Sequence, residues 1–193
     1  EDDTFNKIIG VSNNGYIAIG NFGNKAYIAK YNLIGKLIWS FECLSEDWFV
    51  NGVATSVSEV TSLTLTDIFK VQNISEDTDF YLSGYYTKDG VVKAFVRRIQ
   101  LSLGQTGGLV NSGKFVSFDE MSYVNKIMVS GNYLLAAGYK NNSNTTTSGK
   151  IARATINGVD LIGIKYYENT LDSKYNSLVI ANDENVAKVI AVG

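Results

Sequence analysis

The sequence predicts an all-β protein built from repeated four-stranded antiparallel sheets. Short strand-like runs recur with similar endings, and polar turns separate them. The 193 residues include 12 Tyr and 9 Phe, which favour strands, and no Pro. Turns must therefore depend on Gly, Asn, Asp and Ser, which adopt positive φ or hydrogen-bond back to the backbone.

The clearest repeat is an apolar run that ends in glycine. It reads GYIAIG, FYLSG, YLLAAG and KVIAVG, and the four copies end at Gly20, Gly84, Gly138 and Gly193. The small residues at these ends suit a crowded place where neighbouring sheets meet. We take each copy as the second strand, b, of one repeating unit.

A second similarity precedes the glycine runs and supplies strand a. It begins with asparagine at Asn6, Asn125 and Asn176, and the remaining unit has the comparable run DIFKVQ from Asp67. Strand c reads AYIAKYN, AFVRRIQ and KIARATIN, and strand d reads GKLIWSFE, SGKFVSF and VDLIGIKYYE. Each run is too short for an ordinary helix and is rich in residues that favour strands.

The first unit resembles a known class of repeat. The stretch GYIAIGNFGNKAYIAKYNLIGKLIWSFE is similar to the blades of bacterial β-propellers, in the class of PQQ-like and other tryptophan-containing repeats. The matching positions are Gly15, Tyr16, Gly20, Tyr27, Lys30, Asn32, Gly35 and Trp39. The second unit departs from the pattern, because it lacks the tryptophan and carries Arg97 and Arg98 in strand c. The resemblance implies an architecture and no fixed activity.

These observations predict a segment of a β-propeller with about three and a half four-stranded antiparallel blades. We expect one domain over 1–193, with blades at approximately 5–42, 67–118, 123–168 and 175–193 and an insertion at 43–66. The last unit has only strands a and b, so we expect further blades or another chain to cover both ends. An open β-solenoid or a sandwich is the alternative architecture.

The predicted insertion contains the candidate contact residues Trp48 and Phe49. One interpretation is an extra strand or loop whose aromatic rings pack over the edge of a blade. The other is a projecting loop that presents the two rings to a protein partner or a sugar. Trp39, in contrast, is predicted to pack in the core between neighbouring blades.

The sequence offers little for catalysis. It contains no His, which removes the commonest general base and metal ligand, and it has no P-loop or zinc motif. The single cysteine, Cys43, fits a small apolar position at a strand end. The neighbouring carboxylates, such as Asp183 and Glu184, fit solvated turns, so we expect no catalytic residue, no cofactor and no metal site. Of Arg97 and Arg98, one is expected to be a surface charge and the other to pair with a carboxylate.

The net charge of −2 does not favour nucleic acid, and no apolar run is long enough to span a membrane. We therefore expect a non-enzymatic structural, adhesive or ligand-binding module of a surface, secreted or virion-appendage protein. Loops at the blade ends would contact a protein or glycan partner, in an extracellular or cell-surface location. The alternative is a part of a quinoprotein-like or glycan-active propeller enzyme whose catalytic residues lie outside this segment.

Overall fold

The computed structural model describes residues 3–11, 15–23, 25–43, 60–71, 79–104, 108–142, 146–157, 160–183 and 186–193. Every regular element in these ranges is a β-strand. The strands form three four-stranded antiparallel sheets and one two-stranded sheet, which we number 1 to 4 in chain order. The predicted all-β class with four-stranded blades is therefore confirmed.

Sheet 1 is a simple meander of consecutive strands. It contains β1 (Asp3–Gly10), β2 (Tyr16–Phe22), β3 (Lys25–Tyr31) and β4 (Leu37–Glu42). The turn between β3 and β4 depends on Asn32, whose Oδ1 accepts hydrogen bonds from the backbone N–H groups of Ile34 and Lys36. Gly35 completes this turn with a φ of 80°. Asn32 and Gly35 thus reverse the chain without proline.

Sheets 2 and 3 repeat the same order, and sheet 4 contains only two strands. Sheet 2 contains β5 (Val60–Lys70), β6 (Asp79–Lys88), β7 (Val91–Ser102) and β8 (Gly108–Phe118). Sheet 3 contains β9 (Tyr123–Ser130), β10 (Tyr133–Asn141), β11 (Thr147–Asn157) and β12 (Asp160–Asp172). Sheet 4 contains β13 (Ser177–Asp183) and β14 (Val186–Val192). The four glycine runs lie in four separate sheets, as the repeat predicts.

Successive sheets pack face to face, and each interface buries an apolar core. The core between sheets 1 and 2 contains Ile17, Ile28 and Trp39 opposite Leu65 and Phe80. The first strand of each four-stranded sheet that follows lies across the first three strands of the sheet before it: β5 across β1 to β3, and β9 across β5 to β7. In the same way β13 contacts β9 and β10. This stacking is that of neighbouring propeller blades.

The repeated glycine lies opposite a β-bulge in the first strand of its sheet. The pairing register slips at Asn6 in β1, at Thr66 in β5 and at Asn125 in β9. Asn176 holds the same place just before β13, where its N–H donates to the carbonyl of Val192. A bulge adds one residue to a strand, bends it and increases its local twist. We call these four positions the bulge residues.

Two expectations about the glycine runs are wrong. The second strands do not end at the glycines, because β2, β6 and β10 continue to Phe22, Lys88 and Asn141. The crowding also comes from the same sheet and not from a neighbouring one. A Cβ atom on Gly20 would lie 2.0 Å from the carbonyl oxygen of Thr4, in the adjacent strand. The bulge brings that carbonyl towards the glycine.

Some element bounds differ from those expected. Strand β5 begins at Val60, so it includes the last part of the segment 43–66 that the sequence placed in an insertion. In sheet 3, β10 and β11 continue into polar sequence, where Asn141 pairs with Thr147. The strands therefore continue into sequence without apolar residues, where the backbone hydrogen bonds between them are enough to keep the strands paired.

Candidate functional site

The bulge residues link each sheet to the next. Asn6 Nδ2 donates to the carbonyl oxygen of Leu65 at 2.6 Å, and Asn125 Nδ2 donates to that of Tyr175 at 2.9 Å. Thr66 Oγ1 makes the corresponding bond to Val124. In all three cases the acceptor is the residue immediately before the next bulge. The internal repeat revealed the asparagine but not its hydrogen bond, because that bond depends on contacts between sheets.

A buried carboxylate crosses the same junctions one residue further along. Asp67 follows the bulge of sheet 2, and Lys7 and Lys126 follow the bulges of sheets 1 and 3. The Asp67 carboxylate lies 3.7 Å from Lys7 Nζ and 3.1 Å from Lys126 Nζ, and it accepts the backbone N–H of Ile127 at 3.0 Å. Its oxygens are therefore occupied by structural partners, which makes it a connector of three sheets.

The first sheet has an open apolar face on the side away from sheet 2. We call it the outer face of sheet 1, and it exposes Phe5, Ile8, Tyr16, Phe22 and Leu37. Part of it is a groove of about 320 Å³, whose lining also includes Tyr27 and Tyr31. Phe5 meets Tyr31 edge to face, with ring centroids 6.2 Å apart. A concave aromatic surface of this kind fits a binding site for an apolar partner.

Equivalent residues in sheets 2 and 3 show that the outer face of sheet 1 lacks a neighbouring sheet among the described strands. Phe5 precedes the first bulge and is 64% exposed, whereas the equivalent Leu65 and Val124 are both 0% exposed. Ile8 lies two residues after the bulge and is 57% exposed, whereas the equivalent Ile68 and Ile127 are 2% and 0% exposed. In sheets 2 and 3 these positions pack on the preceding sheet. The outer face of sheet 1 has the residues of a buried interface and no sheet against it among the described strands.

Sheet 4 has a matching open face on its other side. We call it the outer face of sheet 4, and it exposes Val179, Ile190 and Val192. The residue equivalent to Ile190 is Ile17 in sheet 1 and Leu135 in sheet 3, and both are buried. In those sheets the position packs on the sheet that follows. The array therefore exposes a different half of its own repeated interface at each end.

The core between sheets 1 and 2 also holds polar groups. Trp39 is buried there as predicted, and its Nε1 donates to the carbonyl oxygen of Gly104 at 3.2 Å. Lys30 Nζ donates to the carbonyl of Leu103, and burial lowers the pKa of this lysine. Burial raises the pKa of Cys43 well above its ordinary value, so the thiol is neutral and lacks the thiolate that a nucleophile requires.

The two neighbouring arginines face opposite sides of sheet 2, and neither is an exposed surface charge. Arg97 is fully buried towards sheet 1, and desolvation lowers its pKa to about 10, so it stays cationic at neutral pH. Arg98 faces the other side and pairs with Asp79 at 2.7 Å. The expected carboxylate pair is therefore present, but the expected solvated arginine is wrong, because both faces of this strand are covered by other sheets.

The predicted contact residues Trp48 and Phe49 lie outside the described residues. Three tyrosines form a row across sheets 2 and 3 that sequence reasoning missed: Tyr123 lies 4.6 Å from both Tyr85 and Tyr139, between ring centroids. Lys174 Nζ lies 4.9 Å from the ring centroid of Tyr139. Two of these tyrosines directly follow a repeated glycine, and that spacing was visible in the sequence. All three tyrosine side chains are half-buried.

Within the described ranges, no three His, Cys, Asp or Glu side chains lie close enough together to hold a metal ion. Nor does the described part of the chain contain a helix long and apolar enough to cross a membrane. No protein-family model, curated protein or solved structure matches the sequence.

Proposed function

We propose that this chain is a non-enzymatic scaffold and binding module, a segment of a β-propeller that associates through its open sheet faces. The outer face of sheet 1 carries this proposal, because it exposes aromatic and aliphatic side chains at positions that the next two sheets bury. Burying such side chains is favourable by about 1.5–3 kcal/mol each, so an apolar partner surface would bind there.

The polar groups of the described sheets support binding over catalysis. Asp67 forms ion pairs with two lysines and accepts a hydrogen bond from a backbone amide. Arg98 forms an ion pair with Asp79, and Lys30 donates to a backbone carbonyl. Each of these charges has a structural partner within or between sheets. A general acid or base would instead face a cleft, with a titratable proton available to a substrate.

The setting and the partners are part of the proposal. The resemblance to surface and secreted propeller repeats favours an extracellular, cell-surface or virion-appendage protein. Loops at the sheet ends would contact a protein or glycan while the stacked sheets hold them in place, and Trp48 and Phe49 are proposed contact residues. The tyrosine row supports this role, since tyrosine is enriched at protein interfaces.

Light scattering after size-exclusion chromatography on residues 1–193 tests the proposal. The wild-type protein is expected to associate, and Phe22→Asp on the outer face of sheet 1 is expected to weaken that association. Ile34→Asp is the matched control, because Ile34 is 86% exposed in the β3–β4 turn and lies outside the groove. A monodisperse monomer with a cooperative thermal melt would contradict the proposal.

A further inference from the structure

The two open faces of the array complement each other. Each junction inside the chain joins two halves. The earlier sheet supplies a bulge side chain that donates, and the later sheet supplies a carbonyl that accepts just before its own bulge. At the outer face of sheet 4, the bulge residue Asn176 is exposed, and its Nδ2 has no acceptor among the described residues. At the outer face of sheet 1, the carbonyl of Phe5 occupies the acceptor position.

The apolar side chains repeat this relationship. The later half of a junction contributes the residues before and two after the bulge, which are Phe5 and Ile8 in sheet 1. The earlier half contributes alternate residues of its second strand, which are Ile190 and Val192 in sheet 4. All four side chains are about half exposed or more, whereas their apolar equivalents in the internal junctions are buried.

Sheet 4 has enough strands for such a junction. Within the chain, the first strand of a following sheet lies across strands of the sheet before it, and the first two of these strands are always among them. Sheet 4 provides those two strands as β13 and β14. A second β1 could therefore lie across sheet 4 in the way that β5 lies across sheet 1.

We propose that the outer face of sheet 1 in one copy of this chain docks on the outer face of sheet 4 in a second copy, and that two copies close head to tail into a ring. This inference rests on the proposed function and names the partner as the chain itself. A head-to-tail interface closes into a ring when its rotation allows. Two copies contain twice the four sheets of one chain, which stays within the usual 4–8 blades of propellers.

Sedimentation velocity on variants of the two faces tests this arrangement. Ile8→Asp disables the sheet 1 face, Ile190→Asp disables the sheet 4 face, and Ile34→Asp is the control. The wild type and the control are expected to sediment at twice the chain mass of 21.1 kDa. Each face variant alone is expected to be a monomer, because every head-to-tail contact needs one intact face of each kind. Val192→Asp provides a second sheet 4 variant, and thermal melts check that all variants fold.

Mixing the two face variants gives the decisive result. An equimolar mixture is expected to restore a 1:1 dimer through the one junction whose faces are both intact. This dimer should be at least about a hundredfold weaker than the wild type, whose second junction forms within one complex. Asn176→Ala should weaken the wild-type dimer about thirtyfold, because each of its two junctions loses one hydrogen bond. Asn141→Ala, at an exposed asparagine elsewhere, should leave the dimer unchanged.

Three other outcomes would contradict the proposed ring. If Ile190→Asp stayed dimeric while Ile8→Asp did not, the sheet 1 face would pair with itself. In that case the binding function would stand and the head-to-tail arrangement would fail. Growth of the wild type beyond a dimer would mean that the junction does not close. A wild type that stayed monomeric at every concentration would contradict both the ring and the proposed function.

Discussion

At the scale of single residues, the repeated glycines are fixed by the backbone of the neighbouring strand. A Cβ atom on Gly84 would lie 1.9 Å from the carbonyl oxygen of Thr64, and one on Gly138 would lie 1.9 Å from that of Tyr123. A Cβ atom in a protein essentially never lies that close to another heavy atom. The carbonyl oxygen that it would meet belongs to the main chain and cannot rotate away as a side chain could. Glycine is therefore needed for space at these sites, where the bulge pushes the paired strand inwards.

Gly84→Ala is expected to destabilise the protein by at least about 3 kcal/mol, since the ladder of β5 and β6 must move to admit a methyl group. The control is Gly10→Ala, because a Cβ on Gly10 would meet no atom within 4 Å. That change should leave the stability within about 1 kcal/mol of the wild type. Urea denaturation followed by circular dichroism measures both, and similar stabilities of the two variants would contradict the bulge geometry.

Cys43 offers a second test at this scale. Its side chain is fully buried after β4, and burial raises the pKa of the thiol. A thiol reagent at mildly alkaline pH is therefore expected to label the native protein at least about a thousandfold more slowly than the unfolded chain, because labelling requires an opening of the core. The raised pKa also sets the direction in which pH changes the stability of the protein. The contribution of the neutral thiol to stability is present below the pKa of the unfolded thiol and is lost as pH rises above it. Equal labelling rates in buffer and in denaturant would show that Cys43 is exposed.

At the scale of elements, the junction between two sheets is the repeated unit of structure. It combines an apolar core with a side-chain hydrogen bond from the bulge, and Asp67 adds a charged connection to two of the junctions. The hydrogen bond is part-buried, so its loss leaves a carbonyl without its partner. The bulge is thus both a bend in the sheet and a contact to the next sheet.

Asn125→Ala should therefore cost about 1–2 kcal/mol, because the carbonyl of Tyr175 loses its donor where sheet 4 packs on sheet 3. Asn141→Ala, which truncates an exposed asparagine in the adjacent strand, should change stability by less than about 0.5 kcal/mol. Hydrogen exchange of the β13 and β14 amides reports the same junction directly. If Asn125→Ala left their protection unchanged, this bond would not hold sheet 4.

Trp39 tests the packing of the first junction. The indole ring is buried in the core between sheets 1 and 2 and stacks on Phe41, with ring centroids 5.8 Å apart. Trp39→Ala is expected to cost about 3–5 kcal/mol in unfolding experiments. Trp39→Phe keeps most of the apolar volume and should recover much of that loss. A solvent-exposed emission spectrum for the indole in a variant without Trp48 would show that the assignment is wrong.

The sequence was sufficient for the strand order and the number of sheets, because the short apolar runs, the turn residues and the glycine runs all report local structure. It also revealed the asparagine of the first strands as a repeat. It could not reveal what this asparagine binds, since Leu65 and Tyr175 lie 59 and 50 residues further along the chain from their donors. The sequence predicted that both ends of the array need a cover, but it could not show which side chains are exposed there, because Phe5 and Leu65 are both apolar and differ only in what packs on them.

At the scale of the whole molecule, the described residues form four sheets, with three internal junctions of one kind and two open halves of that junction. Several of its described charges hold sheets together, and the two outer faces carry many of its exposed apolar side chains. The function we propose and the head-to-tail ring both depend on this stacking of successive sheets.

Nuclear Overhauser effects between hydrogens in isotope-labelled protein test the stacking most directly. We expect contacts from the side-chain amide hydrogens of Asn6 to Leu65 and Thr66, and from those of Asn125 to Tyr175 and Asn176. We also expect cross-strand backbone contacts between Gly20 and Phe5 within sheet 1. Backbone contacts that pair the strand of Gly20 with the strand of Gly84 would place both in one sheet and would contradict the account.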